Sequence, residues 1–456
     1  MAWGGNDKAV EKWIKRLEEN DPTFIELHIL SFRVVASDEL ARLFTALGRN
    51  STLQHLYCSG LPIDSNAMEC LSEALALNDT LLSINVGKSS FGSDLALFQS
   101  FCAGLAANES LQKVDMDNKG LTAESINMLA ESIKKNGTVK DLILSRNKLD
   151  NDSVETLMEI LGENPSSDLM LLDLSMNEVN KYGTHSIAEY LKKPSKLCKL
   201  DLSDNPIGSG STTIIEALPE NKSLKSLKLA GTLEEEENFN LDEPKNQLQI
   251  ESVGDIVLKA LSKIFPAKQL EEIWLDGLNI SDIGMSSLAT TIRDSGIYHL
   301  RMRRNNITDD GAIQLAKAMQ ENGQHLTSLE LGENAITVNG FVELLACPKL
   351  NVLGLFNNKI NKLNTAEFKV CPNISSLDIG CNGISTEDFN VICDALMDGF
   401  GPNLKILELG GNVNNTDEEL EKWETLAAAV QEARPNIDMT WKRMHAVDDR
   451  EQSAPH

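Results

Sequence analysis

Apolar residues recur along this chain with one spacing that is repeated 14 times. The clearest copy runs from Leu197 to Ile207 and follows the pattern L-x-x-L-x-L-x-x-N-x-I. The other copies start at Phe24, Leu53, Leu81, Leu111, Val139, Leu169, Leu224, Leu270, Ile297, Leu326, Leu350, Ile374 and Leu404, and most starts are 27 to 30 residues apart. A period of this length is typical of a solenoid, in which each unit buries its apolar face against its neighbours.

Each repeat predicts a short strand followed by a helix. The alternating L-x-x-L-x-L segment indicates a strand with one buried face, and the second half has helical spacing, as at Ile126, Leu129, Ala130 and Ile133. Helices are about 10 Å wide whereas paired strands lie about 4.8 Å apart, so the rod must bend. We therefore expect an α/β horseshoe with a parallel sheet on the concave face and helices on the convex face. The repeats from Leu326 and Leu350 have a 24-residue period, which leaves less room for a helix.

An asparagine follows the strand in many repeats and is predicted to be structural. Its amide can hydrogen-bond to backbone groups that the turn leaves unpaired. Leu61, Ser89 and Lys119 replace it in early repeats, so we expect that part of the solenoid to be less regular. The column comprises Asn147, Asn177, Asn205, Asn305, Asn334, Asn358, Asn382 and Asn412.

The pattern also predicts the domain organisation. Residues 1–23 form an N-terminal capping helix, residues 24–415 hold about 14 repeats, residues 416–441 form a C-terminal cap, and the polar residues 442–456 are disordered. The repeat from Leu224 is longer than its neighbours because of an acidic insert at 233–249. This insert is either an idle surface loop or a tethered competitor that pairs with arginines of the next repeats.

Composition narrows the possible partners. The formal net charge is −26, which disfavours binding to nucleic acid or to an anionic membrane. The chain has no long apolar run and opens with no apolar signal region, so we expect a cytoplasmic protein, with the nucleus also possible. The eight cysteines form no C-x-x-C pair and are predicted to be free thiols.

No catalytic, cofactor or metal motif has the spacing that it needs, so we expect no enzyme activity and no cofactor. The candidate partner-binding residues lie at the third, fifth and seventh positions of the repeats, which point away from the core. A first group, of three aspartates, either binds the partner or is simply a solvated face of the sheet. A second group holds an outward tryptophan and two arginines, which are typical interface anchors, so we interpret it as a partner-binding surface. The alternative is that the tryptophan is covered by the insert or stacks with an arginine one strand away. The first group is Asp115, Asp173 and Asp201, and the second is Trp274, His299, Arg301, Arg303 and Phe356.

The segments L-D-L-S-D-N-P-I (200–207) and L-I-L-S-R-N-K-L (142–149) resemble the ribonuclease-inhibitor-like leucine-rich repeat superfamily. This group includes ribonuclease inhibitor, the repeat regions of NOD-like receptors and the Ran GTPase-activating protein. The resemblance implies a scaffold that binds a protein partner on its concave face, usually without chemistry of its own. Two alternatives are a GTPase-activating protein of the Ran-activator type, testable by single-turnover GTP hydrolysis, and a structural component of a cytoskeletal or ciliary assembly.

Overall fold

A computed structural model of the chain describes residues 7–164, 167–233, 251–267, 269–320, 325–364, 368, 373–412 and 416–442. It divides into two compact units, Met1–Asn238 and Phe239–His456. Both units alternate strands with helices.

The first unit contains eight described strands that pair in parallel and in chain order. They are β1 (Glu26–His28), β2 (His55–Ser59), β3 (Ser83–Gly87), β4 (Lys113–Asp115), β5 (Asp141–Ile143), β6 (Leu171–Asp173), β7 (Lys199–Asp201) and β8 (Ser226–Lys228). The helices described in this unit are α1 (Asp7–Glu18), α2 (Ser37–Leu47), α3 (Ser65–Leu77), α4 (Leu95–Ala107), α5 (Ala123–Lys135), α6 (Asn151–Gly162), α7 (Thr184–Lys192) and α8 (Ser211–Ala217).

The second unit repeats this arrangement with seven described strands, again parallel and in chain order. They are β9 (Glu272–Trp274), β10 (His299–Arg301), β11 (Ser328–Glu330), β12 (Val352–Gly354), β13 (Ser376–Asp378), β14 (Ile406–Glu408) and β15 (Asp438–Thr440). The described helices are α9 (Val253–Ile264), α10 (Asp282–Ala289), α11 (Asp309–Gln320), α12 (Val338–Leu345), α13 (Thr386–Met397) and α14 (Asp417–Ala433).

The leucines of the repeat pattern form the core. Leu142, Leu172 and Leu200 are direct partners on β5, β6 and β7, and none is more than 2% exposed. The same register continues in the second unit through Leu300 and Leu329. Because each leucine contacts its equivalents in the adjacent repeats, apolar burial accumulates along the solenoid rather than around one centre. The predicted α/β repeat fold with parallel strands is confirmed.

The asparagine column is confirmed as a hydrogen-bond ladder. Asn205 is 1% exposed, and its amide nitrogen donates to the carbonyl oxygens of Leu174, at 2.9 Å, and Leu202, at 3.0 Å. Its amide oxygen accepts from the backbone nitrogen of Val179 at 3.1 Å. One side chain thereby joins the turns of two consecutive repeats, and these backbone groups are satisfied without water.

Lys119 replaces asparagine in this column, and its long side chain reaches the strands of the two preceding repeats. Its side chain is buried, and its ammonium group donates to Ser59 Oγ at 2.7 Å and to the carbonyl oxygen of Gly87 at 3.0 Å. Burial lowers the pKa of this lysine, while the negative charge of Asp115 opposes that effect. Since Leu61 and Ser89 supply no amide in the two preceding repeats, Lys119 provides hydrogen-bond donors to both of their strands. Strands β2 and β3 are also longer than β4, at five residues against three.

A second ladder in the second unit was not predicted. Asp282 Oδ1 accepts from the backbone nitrogens of Thr308, at 2.9 Å, and Gly311, at 3.0 Å, and Oδ2 accepts from Thr308 Oγ1 at 2.6 Å. A Cβ atom at Gly311 would lie 2.4 Å from Asp282 Oδ1, so the contact requires glycine. The same arrangement joins Asp255 to Ser281 and Gly284, and Asp309 to Thr337 and Gly340.

The predicted terminal helices are present as α1 and α14. Trp423 of α14 stacks on Phe389 of α13 with ring centroids 3.9 Å apart, and Trp441 lies beyond it at 5.9 Å. The last residues of the predicted C-terminal cap, 416–441, contain strand β15, which pairs with β14. The role of these elements as caps stays a prediction, as do the domain boundaries.

Several predictions fall partly or wholly outside the described residues. The acidic insert does so from residue 234 and the polar tail from residue 443. In the two short repeats, α12 has eight residues, and much of the stretch after β12 is likewise outside the described part. Within the described ranges, the cysteines Cys58, Cys70, Cys102, Cys381 and Cys393 are free thiols. In those ranges no helix has the length and apolar character needed to cross a membrane.

Candidate functional site

The outward side chains of the strands form a surface that we call the open face. It consists of the third, fifth and seventh positions of each repeat, opposite the buried leucines. On β10, for example, Leu300 is buried, whereas His299 and Arg301 on either side are half-buried. The predicted alternation is therefore correct, and it places the candidate residues of each unit on this face.

Trp274, His299 and Arg301 meet on strands β9 and β10. Arg301 is the direct partner of Trp274, and its guanidinium carbon lies 4.5 Å from the centre of the indole ring. Trp274 Nε1 donates to Glu272 Oε1 at 2.7 Å, and His299 Nδ1 lies 3.4 Å from the same oxygen. The predicted stacking of Trp274 with an arginine is thus present. The Trp274 cluster comprises Trp274, His299, Arg301, Glu272 and Asp276.

Asp276 forms hydrogen bonds with two arginines of the next repeat. Its Oδ2 accepts from Arg301 Nε at 2.5 Å, and its Oδ1 accepts from the backbone nitrogen of Arg303 at 2.7 Å. The side chains of Asp276 and Arg301 are only 12% and 18% exposed. Glu333 lies 3.5 Å from the guanidinium of Arg303 and 3.1 Å from that of Arg304. The positive charges at this site are therefore matched by carboxylates of the same chain.

Phe356 lies apart from the Trp274 cluster. It follows β12, which is separated from β10 by β11, and its ring covers Gly380 of the following repeat. Four of the five residues predicted for this group thus lie together on two adjacent repeats. Phe356 belongs to a neighbouring part of the open face.

The three aspartates of the acidic group lie in the first unit and are not all adjacent. Asp173 and Asp201 are direct partners on β6 and β7, and Asp201 lies 3.4 Å from Lys228 on β8. Asp115 is separated from Asp173 by Ile143 and accepts a hydrogen bond from the backbone nitrogen of Asp117. Whether this group binds a partner or is only a solvated face stays a prediction.

Burial and the neighbouring charge of Asp201 raise the pKa of Asp173 to about 6, from 3.8. Its Oδ1 accepts from the backbone nitrogen and the hydroxyl of Ser175, at 2.9 and 2.7 Å, and these bonds partly oppose the shift. A raised pKa means that the folded chain binds this proton more tightly than the unfolded chain. The contribution of this proton to the free energy of unfolding is fully present below pH 3.8 and is lost as the pH rises through about 6.

Asp173→Asn is therefore expected to raise the free energy of unfolding by about 1–3 kcal/mol at neutral pH. The amide oxygen can still accept from Ser175, while the buried charge is gone. The gain should shrink as the pH approaches about 4, where the wild-type carboxyl is also protonated. Urea unfolding of both chains across this pH range measures it. Asp168→Asn is the control: Asp168 pairs with Lys196 at the surface, which lowers its pKa, so no gain is expected. A gain for Asp173→Asn that does not change with pH would contradict the assignment.

The carboxylates that hold this site together are not among the candidate partner-binding residues predicted from the sequence. Glu272 and Asp276 flank Trp274 at the third and seventh positions of one repeat, and the repeat pattern places these positions on the open face. Their pairing with the next repeat could not be predicted, because it depends on side-chain conformation. Glu333 follows the seventh position and carries no repeat signal.

The site is suited to recognition. It offers an aromatic ring and matched ion pairs on two adjacent strands. Over the part of the chain that the structure describes, no group of three or more His, Cys, Asp or Glu side chains could hold a metal ion.

Comparison with known proteins agrees with the fold. The family model described as Leucine Rich repeat matches residues 299–316 and 324–345. Mouse NACHT, LRR and PYD domains-containing protein 14 is 26% identical over 84% of this chain and 29% of the relative. Human Capping protein, Arp2/3 and myosin-I linker protein 3 is 27% identical over 63% of this chain and 20% of the relative. Mouse Ribonuclease inhibitor is 26% identical over 56% of this chain and 60% of the relative. The chain thus spans less than two thirds of each of these relatives.

The repeat pattern, the parallel strand-helix units and the family match define a leucine-rich repeat protein. Within that class, the full helix in most repeats and the 26% identity to Ribonuclease inhibitor support a similarity to the ribonuclease-inhibitor-like superfamily.

Proposed function

We propose that this chain is a non-catalytic scaffold that binds a protein partner on the open face of its second unit, with the Trp274 cluster at the centre. The observation that carries the proposal is the fixed platform of Trp274 under Arg301, held by Glu272 and Asp276. Tryptophan and arginine are the residues most often found at the energetic centre of an interface. Because the side chains of this platform are already held in place, they lose less conformational entropy when a partner binds.

The relatives support protein binding in general. The name of one states that it inhibits a ribonuclease, and the name of another states that it links capping protein, Arp2/3 and myosin-I. The second name favours one alternative from the sequence, a structural role in a cytoskeletal assembly. For a GTPase-activating role, the described residues provide no comparable observation, and Arg301, Arg303 and Arg304 are paired within the chain.

The proposal is tested by capturing a partner with the purified chain and mapping the complex by hydroxyl-radical footprinting. We expect the partner to reduce oxidation of Trp274 and His299, because their side chains would be covered. Met397, which is 47% exposed on helix α13, serves as the internal reference and should be oxidised equally with and without the partner. Protection of Met397 with none at Trp274 would refute docking on the open face.

A further inference from the structure

Strand β1 pairs with β2 on one side only, and its other side is an edge of the sheet. The backbone nitrogen of Ile29 donates to the carbonyl oxygen of Tyr57 at 2.8 Å, so the backbone groups of Ile29 face β2. Because alternate residues of a strand direct these groups to opposite sides, the N–H and C=O groups of Glu26 and His28 face away from β2. In the described part of the chain, nothing pairs with these four groups. Such an edge is a template for a further strand.

Exposed apolar side chains lie at both ends of this edge. Ile25, which immediately precedes β1, is 50% exposed, and Leu30 and Phe32, which follow it, are 50% and 79% exposed. Single exposed apolar residues are common on protein surfaces, but several beside one unpaired strand form a patch that is typical of an interface. We call this surface the β1 edge; it consists of Ile25, Glu26, His28, Leu30 and Phe32.

The charged side chains of β1 are held in place on the open face. His28 Nε2 lies 2.5 Å from Glu26 Oε1, and the imidazole ring stacks on Tyr57 with ring centroids 4.6 Å apart. The strand therefore presents a carboxylate and an imidazole in a fixed order, two residues apart. Leu27, between them, is buried in the core.

This order is complementary to itself when a second β1 runs antiparallel with Leu27 opposite Leu27. Glu26 then faces His28 of the second copy, and His28 faces its Glu26, so that a carboxylate lies opposite an imidazole twice. In the same register both pairs exchange two backbone hydrogen bonds, which satisfies all four edge groups of each copy. One register thus matches charge and backbone together.

The antiparallel direction also brings the apolar ends together. The end of one β1 lies beside the start of the other, so Leu30 and Phe32 of one copy approach Ile25 of the second. The arrangement has a two-fold axis at Leu27, and each copy uses the same surface, as in most homodimers. The match in charge, backbone and apolar groups points to a second copy of this chain as the occupant.

We propose that the β1 edge is a self-association surface, on which β1 of a second copy adds antiparallel and forms a two-fold dimer. The inference goes beyond the proposed function, because it concerns the first unit and a different partner. The dimer would carry two Trp274 clusters, and a partner with two binding segments would gain affinity from this.

The test is sedimentation velocity of the full chain from about 1 to about 100 µM, because dimer formation depends on concentration. NaCl at about 150 mM screens the net charge of −26 beyond about 8 Å. We expect a species of 50.1 kDa at low concentration and one of twice that mass at high concentration. A chain that stays monomeric over the whole range would overturn the proposal. Species larger than the dimer would also overturn it, since a two-fold edge closes after two copies.

A charge exchange tests the register. His28→Glu places carboxylates opposite each other twice and should weaken the dimer at least about tenfold. Adding Glu26→Lys to this variant restores opposite charges across the axis, and dimerisation should return to within about threefold of the wild type. A double variant that associates no better than His28→Glu alone would contradict the antiparallel register. Thermal unfolding of each variant establishes that the fold is retained.

Apolar substitutions provide the matched control. Phe32→Ser should weaken the dimer about tenfold, because it removes an apolar side chain from the interface. Leu77→Ser, at a 73% exposed position of α3, should change it by less than about twofold. Equal losses from both would place association elsewhere and overturn the proposal. Dimer formation only after deletion of residues 1–6 would show that the chain's own segment occupies the edge, which also overturns it.

The proposal and the proposed function fail separately. Trp274→Ala should leave the dimer unchanged, and a dimer lost in this variant would move self-association to the Trp274 cluster and overturn the β1 edge. If no partner protects Trp274 while the charge exchange restores the dimer, the proposed function fails and the β1 edge stands.

Discussion

Trp274→Ala is expected to weaken the captured partner by at least about 2 kcal/mol, or about 30-fold in Kd. The substitution removes the ring on which Arg301 lies and frees the carboxylate of Glu272 from its indole partner. A partner group that packs on the ring then loses both its contact area and the fixed position of the guanidinium. Titration of the partner with each variant by calorimetry measures the change.

The control for this prediction is Glu155→Ala, on the exposed side of helix α6. It should change the affinity by less than about 0.5 kcal/mol, because it lies outside the proposed interface. The unfolding midpoint of each variant establishes that the loss is not one of folding. Equal losses of affinity from Trp274→Ala and Glu155→Ala would contradict docking at the Trp274 cluster.

Asn205→Leu should lower the free energy of unfolding by about 3–5 kcal/mol, since each buried polar group left without a partner costs about 1–3 kcal/mol. Leucine is similar in size but leaves the carbonyl oxygen of Leu202 and the backbone nitrogen of Val179 unpaired, and it removes one of the two amides that donate to the carbonyl oxygen of Leu174. Because these groups belong to two consecutive repeats, the loss affects both turns. Urea unfolding of the purified chain gives the value.

The same substitution at Asn339 is the matched control. Asn339 is exposed on helix α12, so its replacement by leucine should change the stability by less than about 0.5 kcal/mol. Similar stabilities of Asn205→Leu and the wild type would show that the ladder is not structural. Partner binding by the folded fraction of Asn205→Leu should be unchanged, because Asn205 belongs to the first unit and the Trp274 cluster to the second.

The repeat pattern predicted the elements well because one spacing serves both local and tertiary structure. A leucine that alternates on a strand also lies beside the same leucine of the next repeat, as Leu142 lies beside Leu172. The period alone therefore fixes which residues are buried and which backbone groups need Asn205. The same alternation placed Trp274, Arg301 and Asp173 on the open face.

Contacts that join different positions of the repeat could not be predicted from the sequence. Lys119 contacts Ser59, 60 residues earlier, because its long side chain crosses two repeats in which the column lacks an amide. The ladder from Asp282 to Thr308 and Gly311 runs across 26 and 29 residues. No repeat position predicts either contact, although the recurrence of a Ser or Thr three residues before a glycine could have indicated the second.

The sequence by itself determined the solenoid class, the buried leucines, the asparagine ladder and the face on which the candidate residues lie, because each follows from a fixed period. Only the tertiary structure decided the charge that this face offers. Asp276 and Glu333 match Arg301 and Arg303, whereas Glu330 lies over Gly354 without an ion pair in the described residues. The physical reason is that ion pairing depends on the distance and conformation of side chains on adjacent strands, which the spacing along one chain does not specify.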